Sequence, residues 1–458
     1  MIRAFLDYYR LPADLFGSVS SPIDSASGES GFFLFGDNNV CYGRNQCGVS
    51  PDVAGAAKFD ALKDVHVEGK TIQLPFDFTE VIENLRRERY RRNMVAASKS
   101  FSTSKPVRGL YYLIREWLPV WFRRQLQKIY LRDWRELPFP GWPVDFTVDN
   151  LHEELLRLFM ESSGTKRVPF IWFWPEGASG CLIMTHDVET SAGRDFTSEL
   201  MDLDSSYGIK ASYQVVPEER YKLPDDYVTR IRSQGCEFNI HDLSHDGRLY
   251  QNRDVFLQRA KRINEYNKKF NARGFRAGVM YRDLDWYDAY DFSYDMSVPN
   301  VAHLEPQRGG CCTVMPFFVG KILELPLTTT QDYSLFYILN DHSIDLWKTQ
   351  LDLIRERNGL MSFIAHPDYL INRKNRNVYE SLLKYLRQMV ARENIWATLP
   401  GDADRWWRAR SQMELVPHEG SWEIVGPEKE RARLAFAVLD GGRLKYELAE
   451  VAQENVHR

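Results

Sequence analysis

The sequence predicts an α/β protein, and three observations predict it. Short apolar runs of strand type, Gly180-Cys181-Leu182-Ile183-Met184, Ala211-Ser212-Tyr213-Gln214-Val215-Val216 and Cys236-Glu237-Phe238-Asn239-Ile240, alternate with charged helical stretches. Carboxylates and histidines stand where two of these runs stop, the position at which such sheets gather functional groups. The chain is also long: 458 residues with 44% hydrophobic content exceed one ordinary core, so two or three domains are expected.

Taken in order, Met1 to Arg10 lacks the apolar core and small-residue cleavage site of a signal peptide. No later run reaches membrane-spanning length, so a cytoplasmic location is expected. The stretch from Gly31 to Tyr42 reads as a hairpin with Gly36-Asp37-Asn38-Asn39 as its turn. Val65 to Ile72 reads as two brief strands around Gly69, with His66 a surface residue. From about residue 81 to 135, Arg86, Arg87, Arg89, Arg91, Arg92, Arg115, Arg123, Arg124, Lys128, Arg132 and Arg135 are set among Trp117, Trp121, Phe122, Tyr130 and Trp134. This basic, aromatic, helix-forming segment suits either a solvated helix face or a peripheral membrane contact through residues 81–135. No recognition motif accompanies the charge, so nucleic acid is not expected as a partner.

Leu137-Pro138-Phe139-Pro140-Gly141-Trp142-Pro143 cannot sustain a helix and reads as a connector. A helix follows over Asp149 to Met160 with an Asp or Asn cap, and Ile171-Trp172-Phe173-Trp174 leads into the strand-rich centre as core or rim packing. Near the far end, Asp402 to Arg410 reads as a closing helix with Trp406 and Trp407 structural. Ser421 to Val425, Ala435 to Leu439 and Arg443 to Leu448 read as strands, the last two joined at Asp440-Gly441-Gly442. The expected division is an N-terminal α+β module over 1–170, a central unit over 171–410 and a small β appendage over 411–458. The net charge of −4 gives no reason to expect an acidic polymer as partner. Six cysteines without paired CxxC spacing read as reduced, with Cys181 and Cys236 in apolar strands and Cys311-Cys312 in a loop or strand start.

The chemistry is concentrated in Thr185-His186-Asp187-Val188-Glu189 and in His241-Asp242-Leu243-Ser244-His245. An HxxxH places two imidazoles on one face of a helical turn, and a carboxylate from a separate strand would complete a metal site with open positions. Open positions point to hydrolysis. On strict alternation Asp187 and Glu189 share a strand face while Val188 points into packing. His186 is expected to pack against the barrel.

These segments resemble the motifs of the polysaccharide deacetylase family, the NodB homology or carbohydrate esterase 4 family. Thr185 to Glu189 is similar to its first motif and His241 and His245 to its second. Gly274-Phe275-Arg276-Ala277-Gly278 is similar to the third, and Phe363-Ile364-Ala365-His366-Pro367 to the last. The fourth motif is matched only by Asp332, in Glu324 to Asp332, without the family's wording. The first 170 residues lie outside the resemblance.

The resemblance implies an irregular (β/α) barrel of NodB type and metal-dependent removal of an acetyl group from an N-acetylated sugar. In that reading Glu189, His241 and His245 hold a divalent ion, most simply Zn²⁺. Asp187 is the base, Arg276 holds Asp187 charged, His366 is the general acid and Asp332 orients His366. The family's adjacent aspartates are here separated by Val188, so the reverse assignment of Asp187 and Glu189 stays open. Arg276 is also readable as a structural ion pair and His366 as a loop residue. Two other functions stay open as well: an amidase of the same fold acting on a non-sugar amide, and a silent glycan-binding protein. A cytoplasmic enzyme would meet precursors, such as N-acetylated sugar nucleotides or lipid-linked saccharides.

Overall fold

The computed structural model describes residues 3–12, 15, 17–21, 28–36, 39–53, 59–91, 93–94 and 120–449. Its centre is a nine-stranded sheet. In chain order the strands are β1 (Gly180–Val188), β2 (Ala211–Val215), β3 (Glu237–His241), β4 (Gly274–Arg276), β5 (Tyr294–Asp295), β6 (Phe317–Val319), β7 (Ile322–Glu324), β8 (Leu360–Ala365) and β9 (Ile395–Thr398). Strands β1 to β5 lie side by side, each parallel to the last. Beyond β5, β7 continues in parallel and carries β6 as an antiparallel edge.

β8 pairs with residues 181–186 of β1. β9 pairs with residues 180–183 and β2 with residues 184–188, so these two share the opposite edge of β1. Every residue of β1 is consequently buried, as expected of a parallel strand flanked on both edges and covered by helices. The architecture is α/β, a curled half-barrel of mostly parallel strands. It is consistent with the NodB-type barrel that the motif resemblance implies.

The crossover helices begin where the sequence supplies caps. Thr190 accepts from the amide of Gly193 ahead of helix Ser191–Ser206, Asn252 from Val255 ahead of Arg253–Phe270, and Asn372 from Lys374 and Asn375 ahead of Arg373–Glu393. Asn271 and Asn394 end the latter two in the left-handed region.

The strands expected outside the barrel are present: Gly31–Leu34 with Val40–Gly43, His66–Glu68 with Thr71–Gln73, and Ser421–Val425 with Glu414–His418. Asp37 and Asn38 of the hairpin turn lie outside the described residues, and His66 is exposed. Leu434–Asp440 and Arg443–Leu448 pair around Gly441 and Gly442, both at positive φ. Leu434–Asp440 also pairs with Arg167–Ile171, so the C-terminal hairpin and the segment before the barrel form one three-stranded sheet. One helix differs from expectation. It runs Thr147–Ser163 from Phe146, so Asp149 lies inside its first turn and is not the cap. The Asp149 carboxylate instead accepts from Thr313 Oγ1 (2.7 Å), Val314 N (3.1 Å) and Tyr8 Oη (3.2 Å), binding its helix to two distant segments.

Of the basic aromatic segment, Phe78–Arg86 and Val120–Tyr130 are helical, while Arg92, Arg115 and Trp117 lie outside the described residues. Among the described residues no helix is long and apolar enough to cross a membrane. All six cysteines are free. Trp174 and Trp406 are fully buried and Trp172 and Trp407 nearly so.

Arg410 locks the N-terminal segment to the barrel. It is 1% exposed and donates to four carbonyls: Nε to Trp172 (2.9 Å), and Nη2 to Ile171 (2.8 Å), Tyr8 (3.0 Å) and Tyr9 (3.2 Å). Arg410→Met keeps the volume but strands these acceptors, so a loss of about 3 kcal/mol or more is expected in denaturant unfolding.

Candidate metal centre

β1 delivers Asp187, and Glu189 is the first residue past its end. Both carboxylates reach the same imidazole: His241 Nε2 is 3.8 Å from Asp187 Oδ2 and 3.6 Å from Glu189 Oε1. This is the shared face that alternation predicts. His241 is the last residue of β3, and its Nδ1 lies 3.1 Å from the carbonyl of Arg276. A carbonyl can only accept, so Nδ1 carries a proton, and Nε2 is the ring atom that faces the carboxylates and is left to bind a metal.

His245 reaches the centre by a route that the helical-turn expectation does not describe. No helix follows β3 here. The chain leaves the strand through Asp242 at φ 55° and arrives at His245 at φ 53°, both left-handed. The turn is pinned by Asp242 N donating to Arg276 O (2.8 Å). His245 Nε2 then lies 2.9 Å from Glu189 Oε1. Gly278 makes room for this loop, since a Cβ there would stand 2.4 Å from Asp242 Oδ2 and 2.9 Å from His245 Cδ2.

Glu189, His241 and His245 therefore offer three ligand atoms within 4.8 Å of one another. His241 Nε2 is buried without a hydrogen bond, and both ring nitrogens of His245 are buried with no hydrogen bond beyond the ion-pair contact to Glu189. Leaving such an atom unsatisfied costs about 1–3 kcal/mol, and a cation held by one nitrogen of each ring would remove that cost for the two nitrogens that bind it. Two imidazoles and one carboxylate also form the donor set of a three-ligand zinc site.

On one side of this triad stands Arg276, the last residue of β4 and wholly buried. Its Nη1 donates to Asp187 Oδ1 (2.6 Å) and Thr185 Oγ1 (2.8 Å), and its Nε to Met296 O (3.0 Å). On the other side is His366, the first residue past β8. Asp332 grips it twice, with Oδ1 2.6 Å from His366 Nδ1 and Oδ2 2.7 Å from its amide nitrogen. His366 Nε2 faces Glu189 Oε1 at 3.4 Å.

Asp332 does not follow a strand directly, because β7 ends at Glu324. The intervening segment runs along β8 through side chains instead. Thr328 Oγ1 donates to Leu360 O (2.7 Å) and Thr329 Oγ1 to Ser362 O (2.8 Å), which carries Asp332 to His366.

Burial alone would raise the Asp187 carboxyl, but Arg276, followed by His241 and His366, holds it below the usual carboxylate range. Glu189 behaves similarly: burial raises it, and the charge of His245 with contacts to His241 and His366 takes it well below. Burial opposes a charge on His366, yet Asp332 and then Glu189 hold its ring well above the usual imidazole value. Burial opposes a charge on His241 as well, yet Asp187 and Glu189 raise its ring above the usual imidazole value. The surroundings thus favour the charged form of both carboxylates and of two imidazoles, His241 and His366.

All seven residues singled out in the sequence, Asp187, Glu189, His241, His245, Arg276, Asp332 and His366, fall in this one connected cluster. His186 does not. Its Nδ1 meets Ala365 O (3.0 Å) and its Nε2 meets Asp204 Oδ2 (2.9 Å) behind the sheet. Sequence reading quoted Thr185 and Gly278 only as parts of motif segments, without a role, and passed over Tyr369 beside His366 with Tyr333 and Tyr337 behind it. Tyr369 stands 4.8 Å from the imidazole between ring centroids, and Tyr333 and Tyr337 stand 5.8 Å and 5.1 Å from Tyr369. The signals were the tyrosines beside Asp332 and shortly after His366.

No family model matches the sequence, and no curated protein matches it. Solved structures similar to it include a protein of Mycobacterium smegmatis assigned as a polysaccharide deacetylase, at 15% identity over 55% of this chain and 98% of that one, with a TM-score of 0.42. Others are Puue allantoinase, at 12% identity over 51% of this chain and 92% of that one (TM-score 0.41), and the chitin deacetylase of the fungal pathogen Colletotrichum lindemuthianum, at 12% over 50% and 89% (TM-score 0.32).

Two variants test the geometry. Gly278→Ala is expected to push the His245 loop aside and weaken metal binding by about tenfold or more in a metal titration, with circular dichroism unchanged. Arg276→Met removes the charge that lowers the Asp187 carboxyl, so the acid limb of any pH–activity profile is expected to move to higher pH. The stranded buried carboxylate is expected to cost about 3–5 kcal/mol in denaturant unfolding.

Proposed function

We propose that the protein is a metal-dependent hydrolase that removes an acetyl group from an N-acetylated sugar. One observation carries the reading: three ligand atoms of Glu189, His241 and His245 converge within 4.8 Å, between an Arg276-bound carboxylate and an Asp332-bound imidazole. That arrangement supplies a cation site, a base and an acid around one point.

A divalent ion in that site would polarise the acyl carbonyl and acidify the attacking water, lowering the barrier by several kcal/mol. The chain's own residues handle the protons. Asp187 takes the proton of the attacking water at Oδ2, since Oδ1 is engaged by Arg276. Its depressed pKa keeps it ionised and ready to accept. His366, held protonated by Asp332, gives a proton from Nε2 to the departing nitrogen, so the products are acetate and a free amine. Glu189 serves as metal ligand in this scheme because it contacts both His241 and His245, whereas Asp187 is tied up by Arg276. Zinc suits the donors, although imidazole and carboxylate also accept other divalent transition metals.

Purified protein is expected to carry a divalent transition metal and to release acetate from N-acetylated saccharides. Chelator should stop the release and added metal restore it. Asp187→Asn is expected to abolish turnover while retaining metal, whereas His241→Ala or His245→Ala should lose the metal itself. His366→Ala is expected to lower kcat by about 10²–10⁴-fold with metal content intact. Turnover confined to small amides or cyclic ureides in a parallel panel would defeat the sugar assignment, and metal content without any turnover would favour a silent binder.

A further inference from the structure

Helix Val120–Tyr130 is anchored at the edge of the candidate centre. Its Gln127 is hydrogen-bonded to Tyr333 Oη, next in sequence to Asp332. Tyr130 Oη donates to Pro306 O (3.1 Å), and Arg308 Nη2 reaches Tyr130 O (3.3 Å) and Asp133 Oδ1 (2.8 Å). With Gln127 and Tyr130 turned to the barrel, the residues at Gln125, Ile129 and Arg132, spaced four and three apart, are exposed to solvent.

Ile129 is 60% exposed, the most exposed large hydrophobic side chain among the described residues. Cations flank it in the sequence. Residues 120–135 contain Arg123, Arg124, Lys128, Arg132 and Arg135 against the single acid Asp133, in a chain whose net charge is −4. Asp133 is neutralised by Arg308, whereas Lys128 and Arg132 have no ion-pair partner among the described residues. Arg135 lies over the ring of the half-exposed Trp134 at 4.8 Å. A second exposed aliphatic, Ile371 at 42%, lies two residues beyond Tyr369 of the tyrosine cluster that Gln127 touches.

We infer that this outward face of helix Val120–Tyr130, with Arg132 and Arg135 after it, docks on the surface of a bilayer containing anionic lipid. Local positive charge in a chain of net negative charge supplies the complementarity. Ile129 and Trp134 supply the apolar and amphipathic contacts that headgroup regions accept. The anchoring through Tyr333 ties the opposite face of the helix to the residue next to Asp332. The inference concerns a surface separate from the seven residues of the centre, and it stands or falls independently of the hydrolase reading.

The test is cosedimentation of the full chain with phosphatidylcholine vesicles and with vesicles of phosphatidylcholine and phosphatidylglycerol. Sedimentation is expected with the anionic vesicles only and should weaken as salt is raised. Lys128→Glu with Arg132→Glu is expected to weaken it by about tenfold or more, and Ile129→Asp should weaken it without changing the salt dependence. The circular dichroism spectrum and the denaturant midpoint should be unchanged in these variants, which separates lost docking from lost folding. Absence of sedimentation, or equal sedimentation with both vesicle types, would overturn the inference. So would a vesicle-free dimer that Ile129→Asp dissociates, since the face would then belong to a second copy of the chain.

Discussion

Arg276 is the residue on which the site depends. Its guanidinium holds Asp187 and Thr185 at the end of β1, and its Nε is fixed by the carbonyl of Met296 beyond β5. Its own carbonyl receives both His241 Nδ1 and the amide of Asp242. One residue therefore sets the charge of the candidate base, the tautomer of one candidate ligand and the starting point of the turn that returns the other. A buried guanidinium is costly unless paired, and the pairing here requires β1, β3, β4 and β5 to be correctly assembled. Folding and the geometry of the centre are coupled through that requirement.

The centre is arranged in advance of any reaction. Asp242 and His245 hold left-handed backbone that side chains other than glycine adopt reluctantly, at a cost of order 1–3 kcal/mol each. The compensation visible in the structure is that His245 meets Glu189 while Gly278 leaves room beneath it. His366 is held by both oxygens of Asp332, leaving Nε2 toward the same point. Little rearrangement is then needed when charge develops there, which is how a preorganised polar site lowers a barrier.

The surroundings stiffen this arrangement. His186 and Asp204 join β1 to helix Ser191–Ser206 behind the site, and Tyr379 Oη donates to the same aspartate (2.8 Å). Arg282 is bound through Nε by Glu88 (2.7 Å), with both side chains buried, so the N-terminal part of the chain braces the loop after β4. Arg410 does the same for helix Arg3–Tyr9 and strand Arg167–Ile171, which leads into the barrel. These are buried charges satisfied across long sequence separations, and each ties a peripheral segment to the sheet.

Much was legible in the sequence because it is local. Apolar runs ending in Asp187 and His241 marked the strands, alternation placed Asp187 and Glu189 on one face, and Gly441-Gly442 marked a turn by their tolerance of positive φ. The α/β class and the placing of Asp187, Glu189, His241 and His245 followed from those patterns, whereas Arg276, Asp332 and His366 were singled out through the resemblance to the deacetylase motifs. Other features were not legible because they depend on partners far away in the chain. Asp149 looked like a cap but binds Thr313, Val314 and Tyr8, and the HxxxH looked helical but turns through left-handed residues that only the Arg276 carbonyl and the space over Gly278 permit. The sequence by itself determined which strands end in which chemical groups, since short-range periodicity and turn chemistry suffice for that. Only the tertiary structure decided that Glu189, His241 and His245 face one another with Asp187 and His366 on either side, because that convergence is set by hydrogen bonds and packing between β1, β3, β4 and β8.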